Sequence, residues 1–280
     1  MKILHRISAV LLILSLVALP MLVSGCRATS AQPLKVVTTT SLLGSIAERV
    51  GGEHVSVTVV VPPASCPGHF DAKPGDIQAL AEAALFLKHG WEGFADGLIE
   101  AAENPDLEVV TVQVEGNWMA PPVQAQAVDE VLAVLSEADP DHKADYESNA
   151  ETYKAVIEET GQRLKAELSA ANVDQVPVLC AQYQAGFVKW AGFNVVATYG
   201  RLEELTPQQI GELVDQAREA GVVLVIDNLQ SGPETGVGMA QEIGAAHVTL
   251  SNFPGGFEGT ETWEKAIEKN VDLLLEALGK

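Results

Sequence analysis

Residues 139–171 read DPDHKADYESNAETYKAVIEETGQRLKAELSAA, and this stretch decides the fold. Asp139-Pro140 opens it as a helix opens. A capping side chain is followed by a proline whose missing N–H is no loss in the first turn. Tyr146, Ala150, Tyr153, Ile157, Thr160, Leu164 and Leu168 then recur at three- and four-residue steps, the spacing of one helical face. No further proline interrupts the stretch, and Gly161 weakens the helix without ending it. The spacing predicts one helix over 140–171, about 48 Å long at ~1.5 Å per residue. That exceeds an ordinary globular helix, and its apolar stripe needs a partner along its whole length.

Strand and helix patterns alternate on either side of it. Before it, strands are expected at Lys35–Thr40, Val55–Val61, Leu85–Lys88 and Leu107–Val114. Helices are expected at Leu42–Val50, Pro74–Ala84 and Trp91–Ala102. After it, strands are expected at Val176–Ala181, Asn194–Thr198, Val222–Ile226 and His247–Leu250. The helices there are Gln184–Ala191, Pro207–Ala220, Thr235–Ile243 and Glu261–Leu278. The fold expected is α/β: two parallel-sheet α/β lobes joined by one long helix, with a ligand cleft between the lobes. Residues 35–138 form the N-terminal lobe, 139–171 the linking helix and 172–280 the C-terminal lobe. Loops at the carboxyl ends of the strands should face the cleft.

The first 25 residues have a different character. Lys2 and Arg6 precede a mostly aliphatic run, and Val23-Ser24-Gly25-Cys26 closes it. A basic start, a short apolar segment and small residues before a cysteine make an export signal. Its ending resembles a bacterial lipobox, which makes Cys26 the lipidated first residue of the mature chain and 26–34 a tether. The protein is therefore expected in the cell envelope, outside the cytoplasmic membrane and lipid-anchored, with two acyl chains holding it firmly where one would not.

Composition narrows the partners. The full sequence carries 17 Lys and Arg against 38 Asp and Glu, a net charge of −21. Nucleic acid needs a basic footprint and is excluded. Flat adsorption to anionic lipid is excluded for the same reason. Of three cysteines, Cys26 belongs to the lipobox, which leaves Cys66 and Cys180 in a compartment that permits disulfides. No nucleophile elbow, phosphate-binding glycine loop or His-Glu-x-x-His helix is present, so no enzyme is expected.

Several local sequences resemble one known family. Val36-Val37-Thr38-Thr39-Thr40-Ser41 is similar to its first strand and turn. Val61-Pro62-Pro63 with Pro67, Pro74 and Asp76 is similar to its first metal-ligand loop. Ala138-Asp139-Pro140, Tyr146 and Asn149-Ala150 resemble the start of its long helix, and Phe187, Gly192 and Phe193 its third ligand region. The family is that of the zinc and manganese solute-binding lipoproteins of bacterial ABC importers. The resemblance implies capture of a transition-metal ion, of the zinc class, by a monomer that delivers it to a membrane permease.

The ligands depart from the pattern. The family holds its cation with three histidines and a carboxylate. Here the first histidine position falls on Gly68, the second near Gly116, the third near Ala181 or Gln182, and the acid near Ser251-Asn252. His69 stands one place late. Cys66-Pro67-Gly68-His69 puts a thiol and an imidazole three residues apart, a spacing able to clamp a soft or borderline cation. The expected metal ligands are accordingly His69, Cys66, Cys180 and His89. Asp71, Gln182, Tyr183, Asp227 and Asn252 are expected around the ligand. The resemblance sets Cys66 and Cys180 facing each other across the cleft, where they share a metal, form a disulfide or merely pack. Trp91, Trp118 and Trp190 line a pocket or fill the core. His54, His142 and His247 read as surface residues. With three expected ligands missing, a metal chelate or other organic solute is the alternative cargo, and a surface adhesin or structural lipoprotein the alternative role.

Overall fold

The computed structural model describes residues 32–279. Cys26 and the rest of the signal lie outside the described residues. Eight strands form two four-stranded sheets, and every strand pair is parallel. The first contains β1 (Leu34–Thr38), β2 (Val55–Val59), β3 (Leu85–Lys88) and β4 (Glu108–Thr111), in the order β2-β1-β3-β4. The second contains β5 (Pro177–Ala181), β6 (Asn194–Tyr199), β7 (Leu224–Asn228) and β8 (Ala246–Leu250), in the order β6-β5-β7-β8. The helices are α1 (Ser41–Gly51), α2 (Pro74–Ala81), α3 (Ala95–Ala102), α4 (Pro121–Ala138), α5 (Lys143–Ala170), α6 (Ala185–Ala191), α7 (Pro207–Glu219), α8 (Val237–Ile243) and α9 (Trp263–Ala277). The two-lobed parallel α/β architecture expected from the sequence is the one found.

The central strands alternate between two cores, because successive side chains leave a strand on opposite faces. In β1, Val37 joins Phe86 of β3, Leu80 of α2 and Leu98 of α3 in one layer. In β7, Val225 joins Leu179 of β5, Val214 of α7 and Met239 of α8 in its counterpart. The opposite faces, with Val36 and Leu85 in one sheet and Leu224 and Ile226 in the other, belong to a single shared core. That core includes Ile46 of α1, Val128 of α4, Leu164 of α5, Phe187 of α6 and Trp263 of α9. Both sheets thus rest on one continuous apolar layer, which ties the lobes together more firmly than a tether would.

α5 is the long helix. Its 28 residues span about 42 Å at ~1.5 Å per residue. All seven residues of the sequence stripe, Tyr146 to Leu168, are buried. The first turn differs from expectation: Pro140–His142 is a 3₁₀ turn and the α-helix begins at Lys143. The Asp139 carboxylate pins that turn by accepting from the His142 ring, with Nδ1 at 2.7 Å, and from the Tyr146 hydroxyl at 2.7 Å. His142 and His54 stack there with ring centroids 3.9 Å apart.

The element that sequence reading did not assign is α4. Pro121-Pro122 opens it, and Gln124, Ala127, Val128, Val131 and Leu135 are its buried face. That face steps by three and four, so its signal was present, but small residues and a glutamine diluted it. With α1, α4 covers the stripe of α5. The approach is close because residue 161 is glycine: a Cβ there would lie 2.8 Å from Pro121 Cγ.

Candidate ligand cleft between the lobes

The carboxyl ends of the strands carry the polar residues, as the topology of parallel sheets requires. After β3 the chain runs through His89, Gly90, Trp91 and Glu92. Gly90 has φ +93°, and a Cβ there would lie 2.7 Å from Thr111 Cγ2, so glycine is needed for the turn. The buried Glu92 carboxylate accepts from the His89 N–H at 2.8 Å, the Gly90 N–H at 2.7 Å and the Thr39 hydroxyl. It locks the loop and presents the His89 ring.

That ring is 9% exposed. Its Nε2 lies 2.8 Å from Thr40 Oγ1. Trp91 stacks on it with centroids 5.2 Å apart, and Trp118 meets it edge-on at 4.6 Å. Burial drives the His89 pKa down to about 4, against the opposing pull of the Glu92 charge. At neutral pH the imidazole is therefore uncharged, the form that can offer a lone pair to a metal.

The cavity has a volume of about 780 Å³ and takes residues from both lobes. His89, Trp91, Trp118 and the loop after β4 line it from one lobe; Tyr183, Arg201, Asn228, Gln230 and Asn252 line it from the other. Direct hydrogen bonds join the two lobes around it. Asn117 Nδ2 donates to the Tyr183 carbonyl at 2.7 Å and to Asn252 Oδ1 at 2.8 Å. Gln230 Nε2 donates to the Pro63 carbonyl at 2.8 Å, and the Ser41 hydroxyl to the Pro254 carbonyl at 2.7 Å.

Of the residues expected around a ligand, His89, Tyr183 and Asn252 line this cavity. The positions Gly68 and Gly116, where the family resemblance puts histidines, line it as well. The rest are placed elsewhere. His69 and Asp71 are exposed, Cys66 is half-buried in the turn before His69, and none of the three lines the cavity. Gln182 is exposed and engages Tyr199 through its backbone. Among the described residues no group of three or more His, Cys, Asp or Glu is arranged to hold a metal ion.

Two expectations are corrected outright. Cys180 does not reach the cleft. It is 0% exposed in the shared core beside Ile226, because it lies within β5 and not in the loop beyond the strand's carboxyl end. Cys66 and Cys180 are both free thiols, so the cross-cleft disulfide and the shared metal both fall. Burial pushes the Cys180 thiol up to about 12, which keeps it protonated and unreactive. Native protein lacking Cys26 should therefore yield one titratable thiol, Cys66, and two in denaturant. A count of zero before denaturation would reinstate the disulfide.

Asp227 is the second correction. Its neighbour Asn228 lines the cavity, while Asp227 points to the opposite face of β7. There it accepts from the Tyr199 hydroxyl at 2.6 Å, from the Gly236 N–H at 2.9 and 3.0 Å, and faces His247 Nε2 at 2.6 Å. It is a satisfied structural carboxylate. His247, read as a surface residue, is its partner.

Sequence reading missed Arg201, Asn228, Gln230 and Asn117 in the cleft. Trp91 is 56% exposed on the cavity, not core; Trp118 is buried and lines the cavity as well, and Trp190 lines a separate groove with Pro121 and Lys165. Arg201 follows a strand end, and one basic residue there in so acidic a chain was the available signal.

Known proteins share this fold over most of the chain. The manganese-binding lipoprotein MntA of Halalkalibacterium halodurans is 25% identical, covering 98% of each chain. MntA of Bacillus subtilis is 28% identical over 72% of this chain and 74% of its own. The cadmium-bound periplasmic metal-binding protein of Candidatus Liberibacter asiaticus superposes with a TM-score of 0.74 at 16% identity, covering 87% of this chain and 98% of its own. That likeness shows the fold. The family model for ZnuA, the periplasmic component A of the zinc-uptake complex, matches residues 36–277, and the chain belongs to that family.

Proposed function

We propose that this protein is the extracytoplasmic substrate-binding component of an ABC importer and that it captures a transition metal for uptake. The observation that carries this is the family match over residues 36–277. It is supported by the convergence of Gly68, Gly116 and Asn252 on one cavity between the lobes. The role is capture and delivery to a membrane permease, in keeping with relatives named as substrate-binding lipoproteins. Among the described residues His89 is the one imidazole on the cavity wall, and it is the proposed metal contact. Zinc and manganese are the leading ions.

The test is metal accumulation. Deleting the gene in its host should lower the cellular content of one transition metal under metal-limited growth, measured by mass spectrometry of digested cells. Restoring the wild-type gene should recover it. His89→Gln should recover it poorly, with cargo affinity of the purified protein reduced roughly 10–100-fold, the size of effect seen when a group supporting a metal site is lost. Unchanged metal content in the deletion strain would sink the metal reading.

The membrane anchor is a separate part of the proposal. Val23-Ser24-Gly25-Cys26 makes Cys26 the lipid-bearing first residue. Intact mass of the protein extracted from membranes should match a chain starting at Cys26 plus acyl groups. An unmodified Met1 terminus would refute it.

A second reading concerns the form of the cargo. The cavity is far larger than an ion and its walls are aromatic and amide-rich, which favours an organic solute or a metal held in a chelate.

A further inference from the structure

The polar atoms left unpaired around the cleft are of one kind. Among the described residues, two cavity-lining side chains have a buried nitrogen or oxygen without a hydrogen-bond partner: Arg201, at Nε, and Asn228, at Nδ2. Both atoms are N–H donors. Asn228 is 1% exposed, and its orientation is set by its carbonyl oxygen, which accepts the Gln230 N–H at 3.1 Å and the Ser231 N–H at 2.9 Å. The amide nitrogen is therefore the end left over. Buried donors are ordinarily paired, and an orphan at a cavity wall marks a place where an acceptor belongs.

Arg201 adds charge. Its guanidinium has no ion pair among the described residues, although the chain carries 38 acidic side chains against 17 basic ones. It leans across to the opposite lobe. A Cβ at Gly68 would lie 2.9 Å from its Nη2 and 3.2 Å from its Nη1, so the cation fills the space beside Gly68. It also lies over the Tyr183 ring, 5.9 Å from the centroid. A bare cation arriving here meets a fixed positive charge and two donors that it cannot accept from. An oxyanion satisfies all three, and guanidinium matches a carboxylate in two parallel hydrogen bonds.

The remaining walls suit an organic body. Trp91 and Tyr183, 56% and 44% exposed, come from opposite lobes and line the same cavity. About 780 Å³ is the volume of a small-molecule pocket. Glu115 is the cavity's carboxylate, so the site offers one charge of each sign.

We propose that Arg201 and Asn228 form an oxyanion-receiving subsite, and that the metal is captured as a complex with a carboxylate-bearing organic ligand. The chelate rests on the metal-capture reading above; the oxyanion subsite stands on the unpaired donors alone.

Calorimetric titration of purified, metal-free protein tests this with three probes: zinc chloride in a non-coordinating buffer, citrate alone, and equimolar zinc citrate. Zinc citrate should bind at least about tenfold tighter than either component. Arg201→Gln should lose about tenfold or more for the complex, while Arg201→Lys, which keeps charge but not the planar fork, should lose less. Unfolding midpoints should stay near wild type, since Arg201 is partly exposed. Zinc alone binding equally to wild type and Arg201→Gln, with no gain from citrate, would overturn the subsite and leave metal capture standing. Citrate alone binding as tightly as zinc citrate, and weakened by Arg201→Gln, would uphold the subsite and overturn the chelate. No binding of any probe would overturn the subsite.

Discussion

Gly161→Pro should unfold the protein at a temperature well below wild type, because residue 161 sits in the interior of α5. Proline there removes a helical N–H and drives its ring against the preceding turn, at ~3 kcal/mol or more. For a chain of this size that is roughly 6–12 °C in the melting midpoint. A second penalty is tertiary. Even the Cβ of alanine would meet Pro121 at 2.8–2.9 Å. Gly161→Ala separates the two effects, since alanine favours a helix by about 1 kcal/mol while overpacking costs about 1–3 kcal/mol. Gly161→Ala should therefore be neutral to mildly destabilising and Gly161→Pro severe. Equal melting curves for Gly161→Pro and wild type would mean that α5 does not run unbroken between the lobes.

Trp263→Ala should be comparably severe. Trp263 is 0% exposed, opens α9, and belongs to the core shared by both sheets. Replacing a buried tryptophan with alanine costs about 3–5 kcal/mol in lost burial and residual cavity. The Trp263 indole N–H also donates to the Trp118 carbonyl at 3.0 Å, tying α9 to the loop that lines the cleft. Trp118 in turn packs edge-on against His89. Cargo affinity should fall with stability. Trp263→Phe keeps much of the bulk and loses the hydrogen bond, so it should cost about 1 kcal/mol beyond any packing change. Urea unfolding measures both; a loss under ~1 kcal/mol for Trp263→Ala would show that the lobes do not depend on this anchor.

The elements were legible because their signals are local. Each of the eight strands is a short β-branched or aliphatic run, and each overlaps an observed strand. The stripe of α5 follows a period that no strand can share. What escaped was α4, whose buried face includes Gln124 and Ala127. Gln124 is 0% exposed there and donates to the Tyr153 hydroxyl at 3.1 Å. A buried polar residue tied to a neighbouring helix through its amide nitrogen breaks a hydrophobic pattern without breaking the helix.

The candidate site was less legible. Cysteine and histidine attract attention by their chemistry, so Cys66, Cys180 and His69 stood out. Chemistry, however, does not say which way a side chain points. Cys180 and Tyr183 are three residues apart, yet one lies in the shared core and the other lines the cleft. Asp227 and Asn228 are adjacent and face opposite sides of β7.

The amino-acid sequence by itself determined the alternation of strands and helices, the single long helix, the two-lobed parallel architecture and the family resemblance. The elements and their order follow from periodicity and capping, which act over a few residues, and the resemblance from short motifs quoted as they stand. Only the tertiary structure decided which polar groups share the cleft. Arg201 reaches Gly68, Asn117 reaches Tyr183 and Asn252, and Gln230 reaches Pro63, each across the two lobes. Such pairings depend on strand parity, sheet order and the packing of both sheets on one core, and none of these leaves a mark at the positions it joins.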